Sequence, residues 1–406
     1  VLHVLNSAAG GAALSTLALI DQFRQQGIAA CAVCHDAGDP QERERLCEAT
    51  GGETLFTPLY WWNKKIRNAA WKRPLSELKQ LVRTGWTHRS SAAVADFAVS
   101  HGVDLIHTNT LTTPEGGIVA RRLGLPHVWH IRELVGPGTP YPLKLEGPAL
   151  GRYLAAHCSK LIANSETCAS HVRGIVPEGL LEVVPNGIEL DRFHPRKGPA
   201  RPDRIVVAMV GNLTSQVKNH ELFVTAAARV DRNLPIEWRI YGHDPSQGGR
   251  QRGDEYVDRL HAQIAQSGLA DRFRLPGFVA DPAQIMDEID LLVHPSDAES
   301  FGRIVVEAMA AGLPAIGVRG GGVAEIIEQG ATGLLAEPGN SADLAAAIEQ
   351  LAKDPARRSV LGAAGRRRAE QHFSMAACAA GVLRVYESAM KRPVGKPQPQ
   401  LHASSA

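Results

Sequence analysis

The segment His294-Pro-Ser-Asp-Ala-Glu299-Ser-Phe-Gly302-Arg-Ile-Val-Val-Glu307-Ala-Met-Ala-Ala-Gly312-Leu-Pro314 decides how this chain is read. The apolar run up to His294 predicts a strand. A helix begins near Gly302, and Gly312 followed by Pro314 stops it. Glu299 therefore sits in a loop after a strand, and Glu307 sits inside the next helix. The helical rise over that separation spans about 12 Å, so the two carboxylates reach well-separated points of one elongated ligand. Carboxylates accept hydrogen bonds from hydroxyls, which suits sugars and ribose. The free amides at the helix start suit an anion or sugar oxygens. The plain alternative is a pair of solvated surface acids.

Working outward, strand-like runs alternate with helical patterns almost throughout. Strands are predicted over 1–5, 28–34, 104–107, 127–130, 161–163 and 181–184. After Arg192-Phe-His-Pro195 the rhythm restarts, with strands over 204–210, 238–241 (ending at Gly242), 272–276, 291–294, 314–317 and 333–335. Helical patterns run from about Ala12 to Gln26, through Ala120-Arg121, from Asn219, and from Ala376 to Met390. Alternation of this kind implies parallel sheets covered by helices on both faces. The expected architecture is α/β, with two Rossmann-like doubly wound parallel-sheet domains facing a cleft. Their expected bounds are 1–190 and 191–373. Residues 374–390 form a helix packing back toward the N-terminal domain, and 391–406 form a disordered tail. No fixed short-period repeat is present.

Composition removes several classes of function. A chain of 406 residues fits two or three domains at roughly 150 residues each. Hydrophobic residues at 44% exclude global disorder. Lys plus Arg is 44 against 42 for Asp plus Glu, too balanced for a general nucleic-acid binder. No apolar run reaches the roughly 18 residues that span a bilayer, and no signal-peptide pattern opens the chain. Six cysteines read as reduced cytosolic thiols rather than a disulfide framework, so a cytoplasmic location is expected. Cys31-Ala-Val-Cys34-His35 has the spacing of c-type haem attachment, but reads better as an apolar strand with two small buried thiols.

Further motifs stand in order around the opening segment. Val184-Pro-Asn186-Gly187-Ile-Glu-Leu-Asp-Arg-Phe193-His-Pro195 precedes it, as does Val210-Gly211-Asn212-Leu-Thr-Ser-Gln-Val-Lys218-Asn219. Gly320-Gly-Gly-Val-Ala-Glu325-Ile-Ile and Gly330-Ala-Thr-Gly333-Leu-Leu335 follow it. Together with the two acids these resemble the E-x7-E signature, linker, phosphate loop and G-G-x-x-E segment of glycosyltransferase family 4. That family comprises retaining enzymes of the GT-B fold. The resemblance implies Glu299 near the transferred sugar and Glu307 near the nucleotide ribose. It places backbone amides of Phe301, Gly302 and Arg303 at the sugar or phosphates, Phe278 and Val279 near the base, and Gly211 and Gly242 in the donor site. Lys218 is then the cation that neutralises the leaving diphosphate; its plain alternative is a solvated surface lysine. The chain departs from the family where Asn212 stands in place of the usual Arg, with Arg303 or glycine amides left to supply the missing charge.

The first domain supplies the acceptor side. Ser7-Ala-Ala-Gly10-Gly11-Ala resembles the family's Gly-rich first loop, although any tight strand-to-helix turn uses glycine. His130 ends the strand His127-Val-Trp-His130 and matches the family's strand-end histidine near the reacting sugar. It is read as a hydrogen-bond partner of the donor sugar, with Arg132 and Glu133 orienting the acceptor and His107 beside them. No D-x-D pair occurs, so no catalytic metal and no cofactor are expected; the donor is a UDP- or GDP-linked sugar.

The stretch 61–89 differs in character. It holds Trp61, Trp62, Trp71 and Trp86 with Lys64, Lys65, Arg67, Lys72, Arg73 and further basic residues, and Glu77 is its only acid. Tryptophan with basic residues suits an anionic membrane surface, here the inner face of the cytoplasmic membrane. The alternative is a basic helix that binds an anionic soluble acceptor or is simply solvated. The expected activity is therefore transfer of a sugar to a glycan or lipid-linked acceptor, an envelope polysaccharide intermediate of a bacterium. A sugar-nucleotide 2-epimerase of the same fold and a non-catalytic nucleotide-sugar scaffold are the rival readings.

Overall fold

The structure, a computed structural model, describes residues 1–62, 89–136, 138–139, 142–195, 203–213, 216–244, 255–392 and 394. The chain forms two compact units. Unit 1 is Val1–Pro185 together with the chain from Cys378, and unit 2 is Asn186–Ala377. The first boundary thus falls at Pro185 rather than 190, and the second falls at Ala377, inside the last helix.

Unit 1 runs β1 (Leu2–Leu5), α1 (Gly10–Gln25), β2 (Cys31–His35), α2 (Pro40–Ala49) and β3 (Thr54–Thr57). The helix α3, described over residues 89–100, comes next. Then follow β4 (Ile106–Thr108), α4 (Glu115–Leu123), β5 (His127–Ile131), α5 (Gly147–His157), β6 (Lys160–Ala163), α6 (Glu166–Ser170) and β7 (Leu181–Val183). The seven strands lie in the order β3-β2-β1-β4-β5-β6-β7. All pairs are parallel. Leu2, Val4, Cys31 and Val33 point to one apolar cluster, while Leu5, Ala32 and Cys34 point to another. Both faces are therefore buried, as parallel sheets require. Cys31 and Cys34 lie on opposite faces, so the two thiols do not converge on one side as haem attachment needs. The strand β3 escapes the sequence reading because Thr54-Leu-Phe-Thr57 is a short, half-buried edge.

Unit 2 runs β8 (Ile205–Val210), α7 (His220–Ala227), β9 (Ile236–Tyr241), α8 (Glu255–Gln266), β10 (Phe273–Gly277), α9 (Pro282–Glu288) and β11 (Leu291–His294). It continues with α10 (Arg303–Ala310), β12 (Ala315–Val318), α11 (Val323–Ile326), β13 (Leu334–Ala336), α12 (Ser341–Lys353) and α13 (Pro355–His372). Its strand order is β10-β9-β8-β11-β12-β13. Val207 and Met209 of β8 enter one core, and Val206 and Ala208 enter the other. The final helix α14 (Met375–Met390) carries the chain back to unit 1, where the Tyr386 ring lies 5.6 Å from Phe23 of α1.

One buried acid in unit 1 has a consequence for stability. Glu115 opens α4 fully buried, and the Tyr60 amide donates to its Oε1 at 2.9 Å. Burial pushes its pKa up from 4.5 to about 7. Between those values the unfolded chain releases the proton while the folded chain keeps it, so folding stability falls as pH rises. From about pH 5 to about pH 8, wild type is expected to lose about 2 kcal/mol relative to Glu115→Gln. Denaturant melts of both proteins at the two pH values check this, and a gap that does not change with pH contradicts it.

Candidate active site

In unit 2 the strand order reverses between β8 and β11, which pair directly. Open parallel sheets bind ligands beyond the carboxyl ends of their strands at such a reversal. The two loops leaving these strand ends carry Lys218 and Glu299, and the structure joins them. Lys218 Nζ donates to Glu299 Oε2 at 2.6 Å, and the His294 Nε2–H donates to the same oxygen at 3.2 Å. Lys218 keeps 27% and Glu299 17% of its side-chain surface, so the pair is reachable from solvent. Burial alone would raise the Glu299 pKa. The Lys218 charge and the His294 hydrogen bond outweigh it and hold the carboxyl well below the usual range.

The backbone explains why these loops meet. A Cβ on Gly211 would lie 2.8 Å from Lys218 Cγ, so the lysine stem runs directly over that glycine. A Cβ on Gly242 would lie 2.1 Å from the Gly211 carbonyl, at a φ of +153°. Only glycine lets the exits of β8 and β9 approach this closely. Asn219 follows Lys218 at φ +56°, the one non-glycine residue with positive φ among the described residues. Asparagine tolerates this left-handed turn, and its amide donates to the Pro295 carbonyl at 3.4 Å. The buried His220 donates from Nε2 to the Gly211 carbonyl at 3.1 Å, with its Nδ1 3.2 Å from the Tyr256 hydroxyl. Asn212 Oδ1 accepts from the His243 amide at 3.0 Å. Asn212 thus ties two loops together where the family's Arg would carry charge.

The glycine run clamps the Glu299 loop from the other side. Side chains at Gly320, Gly321 and Gly322 would meet the backbone of Asp297, Glu299 and Ser300 at 2.8, 2.4 and 2.6 Å. The Gly322 amide donates to the Glu299 carbonyl at 2.8 Å. Gly302 opens α10 at φ +99°. Phe301 is buried, its ring 5.9 Å from that of Phe373. Arg303 Nε donates to Glu307 Oε1 at 2.7 Å. Glu307 is buried on α10, and that burial raises its pKa against the opposing pull of Arg303. Arg303 is thereby engaged by a carboxylate, which weakens it as the substitute for the missing Arg at 212. Phe278 stands 67% exposed just after β10, with Val279 packed partly into the core.

Unit 1 gathers its own polar cluster at the reversal between β1 and β4. His3, His107 and His130 share one face of the sheet and are all fully buried. His107 Nε2 lies 3.3 Å from His130 Nδ1, and His107 Nδ1 lies 2.6 Å from the Tyr386 hydroxyl. Both ring nitrogens of His107 are thus engaged within the cluster, by Tyr386 and by His130. Arg132 donates to Asn109 Oδ1 at 3.2 Å. Glu133 accepts from the Thr110 hydroxyl, and from the Leu111 amide at 3.2 Å, so its carboxylate secures the turn after β4. Gly10, at φ +83°, and Gly11 open α1, with nothing within 4 Å of an added Cβ at either.

The Trp-rich stretch requires one correction. Trp62 is buried, stacked 5.8 Å from Trp129, and its Nε1 donates to the Leu111 carbonyl. It is a core residue of unit 1 rather than a membrane-surface contact. Trp61 is 41% exposed. Lys64, Lys65, Arg67, Trp71, Lys72 and Arg73, like most of the expected tail 391–406, lie outside the described residues. Among the described residues no helix is long and apolar enough to cross a membrane, and no cluster of three metal-ligating side chains occurs.

Comparison with known proteins decides the family. The model of Glycosyl transferases group 1 matches residues 191–368, and that of Glycosyltransferase Family 4 matches residues 9–192. The D-inositol 3-phosphate glycosyltransferase of Streptomyces bingchenggensis is 30% identical over 313 residues, covering 71% of this chain and 67% of that protein. The chain belongs to glycosyltransferase family 4. It spans about two thirds of the length of such curated relatives. Among solved structures, Anabaena HepE in complex with UDP matches with a TM-score of 0.74 at 24% identity, covering 95% of this chain and 99% of that one. A glycosyltransferase from Rickettsia africae matches with a TM-score of 0.76 at 17% identity, covering 96% and 98%. The fold of this glycosyltransferase is therefore GT-B, with two parallel-sheet Rossmann-like units. Sequence reasoning missed His294, His220 and Asn219 as builders of the site, although His294 and Asn219 stand in the very motifs that carry it.

Proposed function

We propose that this transferase is a retaining enzyme, and that unit 2 binds a UDP- or GDP-linked sugar. The observation that carries the reading is the Lys218–Glu299 pair at the strand reversal. A cation and a carboxylate held side by side there suit a ligand with a diphosphate next to a hydroxyl-bearing sugar. In this reading Lys218 meets the diphosphate, Glu299 the transferred sugar and Glu307 the ribose. The exposed Phe278 ring suits the base, and Gly10, Gly11, Gly211, Gly242 and the amides at Gly302 and Arg303 suit close backbone approach. His130 is a hydrogen-bond partner of the transferred sugar. The anomeric C–O bond to phosphate breaks with oxocarbenium-like character, and Lys218 and helix amides stabilise the departing phosphate. That phosphate takes the proton of the acceptor hydroxyl, whose oxygen bonds to the same face of the sugar. The chain's own residues supply the charge stabilisation, so the reaction is proposed to run without metal.

For the acceptor we propose a lipid-linked or envelope glycan intermediate, with Arg132 the unit 1 side chain closest to that role in kind. The names of the curated relatives make inositol 3-phosphate the second acceptor to try. Because HepE was solved with UDP, uridine donors come first. Proton NMR of the reaction tests the reading. The expected result is release of nucleoside diphosphate with the donor's anomeric configuration kept in the product. An inverted product contradicts retention, and a C2 epimer of the donor supports the epimerase instead.

A further inference from the structure

Three buried groups in unit 1 form a line that the activity does not by itself explain. Tyr386, on the last helix, reaches His107 on β4, and His107 reaches His130 at the end of β5. The chain brings Tyr386 here from 279 residues away in sequence. Its ring is anchored by Phe23, and it meets the His107 ring edge-on at 5.6 Å. The rings of His107 and His130 are nearly parallel, 9° apart. Beyond them, His130 Nε2 is buried and has no hydrogen-bond partner among the described residues.

A neutral imidazole carries one N–H, so each ring in such a line must donate from one nitrogen and accept at the other. The direction of the line is then fixed by its end group. A phenol donates to imidazole far more readily than it accepts from it, and 2.6 Å is a short, strong contact. Burial keeps both histidines below their usual pKa and keeps the phenol protonated, so the three groups hold a fixed number of protons.

We propose that Tyr386 and His107 are positioning residues that fix His130 in one tautomer. The Tyr386 hydroxyl donates to His107 Nδ1, and the His107 Nε2–H donates to His130 Nδ1. The proton of His130 is thereby placed on Nε2, where it stands ready as a donor to a sugar oxygen. The last clause rests on the proposed role of His130; the tautomer itself does not.

The test is nitrogen-15 NMR of histidine-labelled full-length chain, with His130 assigned by its loss in His130→Asn. In wild type His107 and His130 are expected as pure Nε2–H tautomers. In Tyr386→Phe, which keeps the ring contact with Phe23, His130 becomes a mixture of tautomers. In turnover, Tyr386→Phe is expected to lower kcat about tenfold, the loss of one ordinary hydrogen bond, with the affinity for free nucleoside diphosphate unchanged. A wild-type His130 protonated on Nδ1 overturns the proposal, as does a tautomer or a kcat that Tyr386→Phe leaves unmoved. If wild type turns over no nucleotide sugar, the proposed function fails on that result alone, and the spectra still decide the relay.

Discussion

Lys218→Ala is expected to lower kcat by about 10²- to 10³-fold, the range seen when one preorganised charge-stabilising donor is removed from a developing anion. In the proposed reaction charge builds on the phosphate as the anomeric bond breaks, so a cation held there would act most strongly in the transition state. Neither Arg303 nor Asn212 replaces it. Arg303 is engaged by Glu307, and Asn212 is neutral and tied to the His243 amide. The same change leaves Glu299 hydrogen-bonded to His294 but without the lysine charge, so the carboxyl pKa rises toward the normal range. Lys218→Arg keeps the charge but must fit a planar head where the stem crosses Gly211 at close range. It should recover part of the loss. Steady-state kinetics on the three proteins checks this, and equal rates for wild type and Lys218→Ala would remove Lys218 from the reaction.

Glu307→Ala is expected to act on binding instead. A hydrogen bond to a charged group contributes about 1.5–3 kcal/mol, so the affinity for free nucleoside diphosphate should fall about 10- to 150-fold. Turnover at saturating donor should change only a few-fold. The geometry supports this split. Glu307 lies inside α10 and is held by Arg303, whereas Glu299 lies in the loop beside Lys218. Removing Glu307 also removes its ion pair with Arg303, so stability falls as well. Glu307→Gln keeps the shape and separates the two effects. Calorimetric titration with nucleoside diphosphate is the measurement, and an affinity within threefold of wild type, on the order of 0.6 kcal/mol, would contradict the assignment.

The strands other than β3 and the two-unit division were legible because parallel strands buried on both faces leave continuous apolar runs between turn signals. His294, Glu299 and Glu307 stand at the strand end, loop and helix positions that their spacing implied. Pairings between distant segments were not legible. Lys218 and Glu299 are 81 residues apart, and nothing local in either motif states that they touch. Glu133 read as orienting the acceptor with Arg132; its hold on the turn at Thr110 and Leu111 was not legible, because it depends on burial that leaves a carboxylate only internal donors. Trp62 misled for a related reason. Tryptophan beside lysines fits a membrane surface, but the same side chain fills a core pocket against Trp129. Tyr386 carried no signal at all, being one aromatic in an apolar helix until that helix is laid against β4.

The most direct measurement is calorimetric titration of UDP-glucose and GDP-mannose into the full chain with a metal chelator present, for wild type and Lys218→Ala. The account predicts that wild type binds one of the two donors without metal and that Lys218→Ala binds the same donor at least about tenfold more weakly. Equal binding by both proteins, or binding by wild type only after metal is restored, would contradict it.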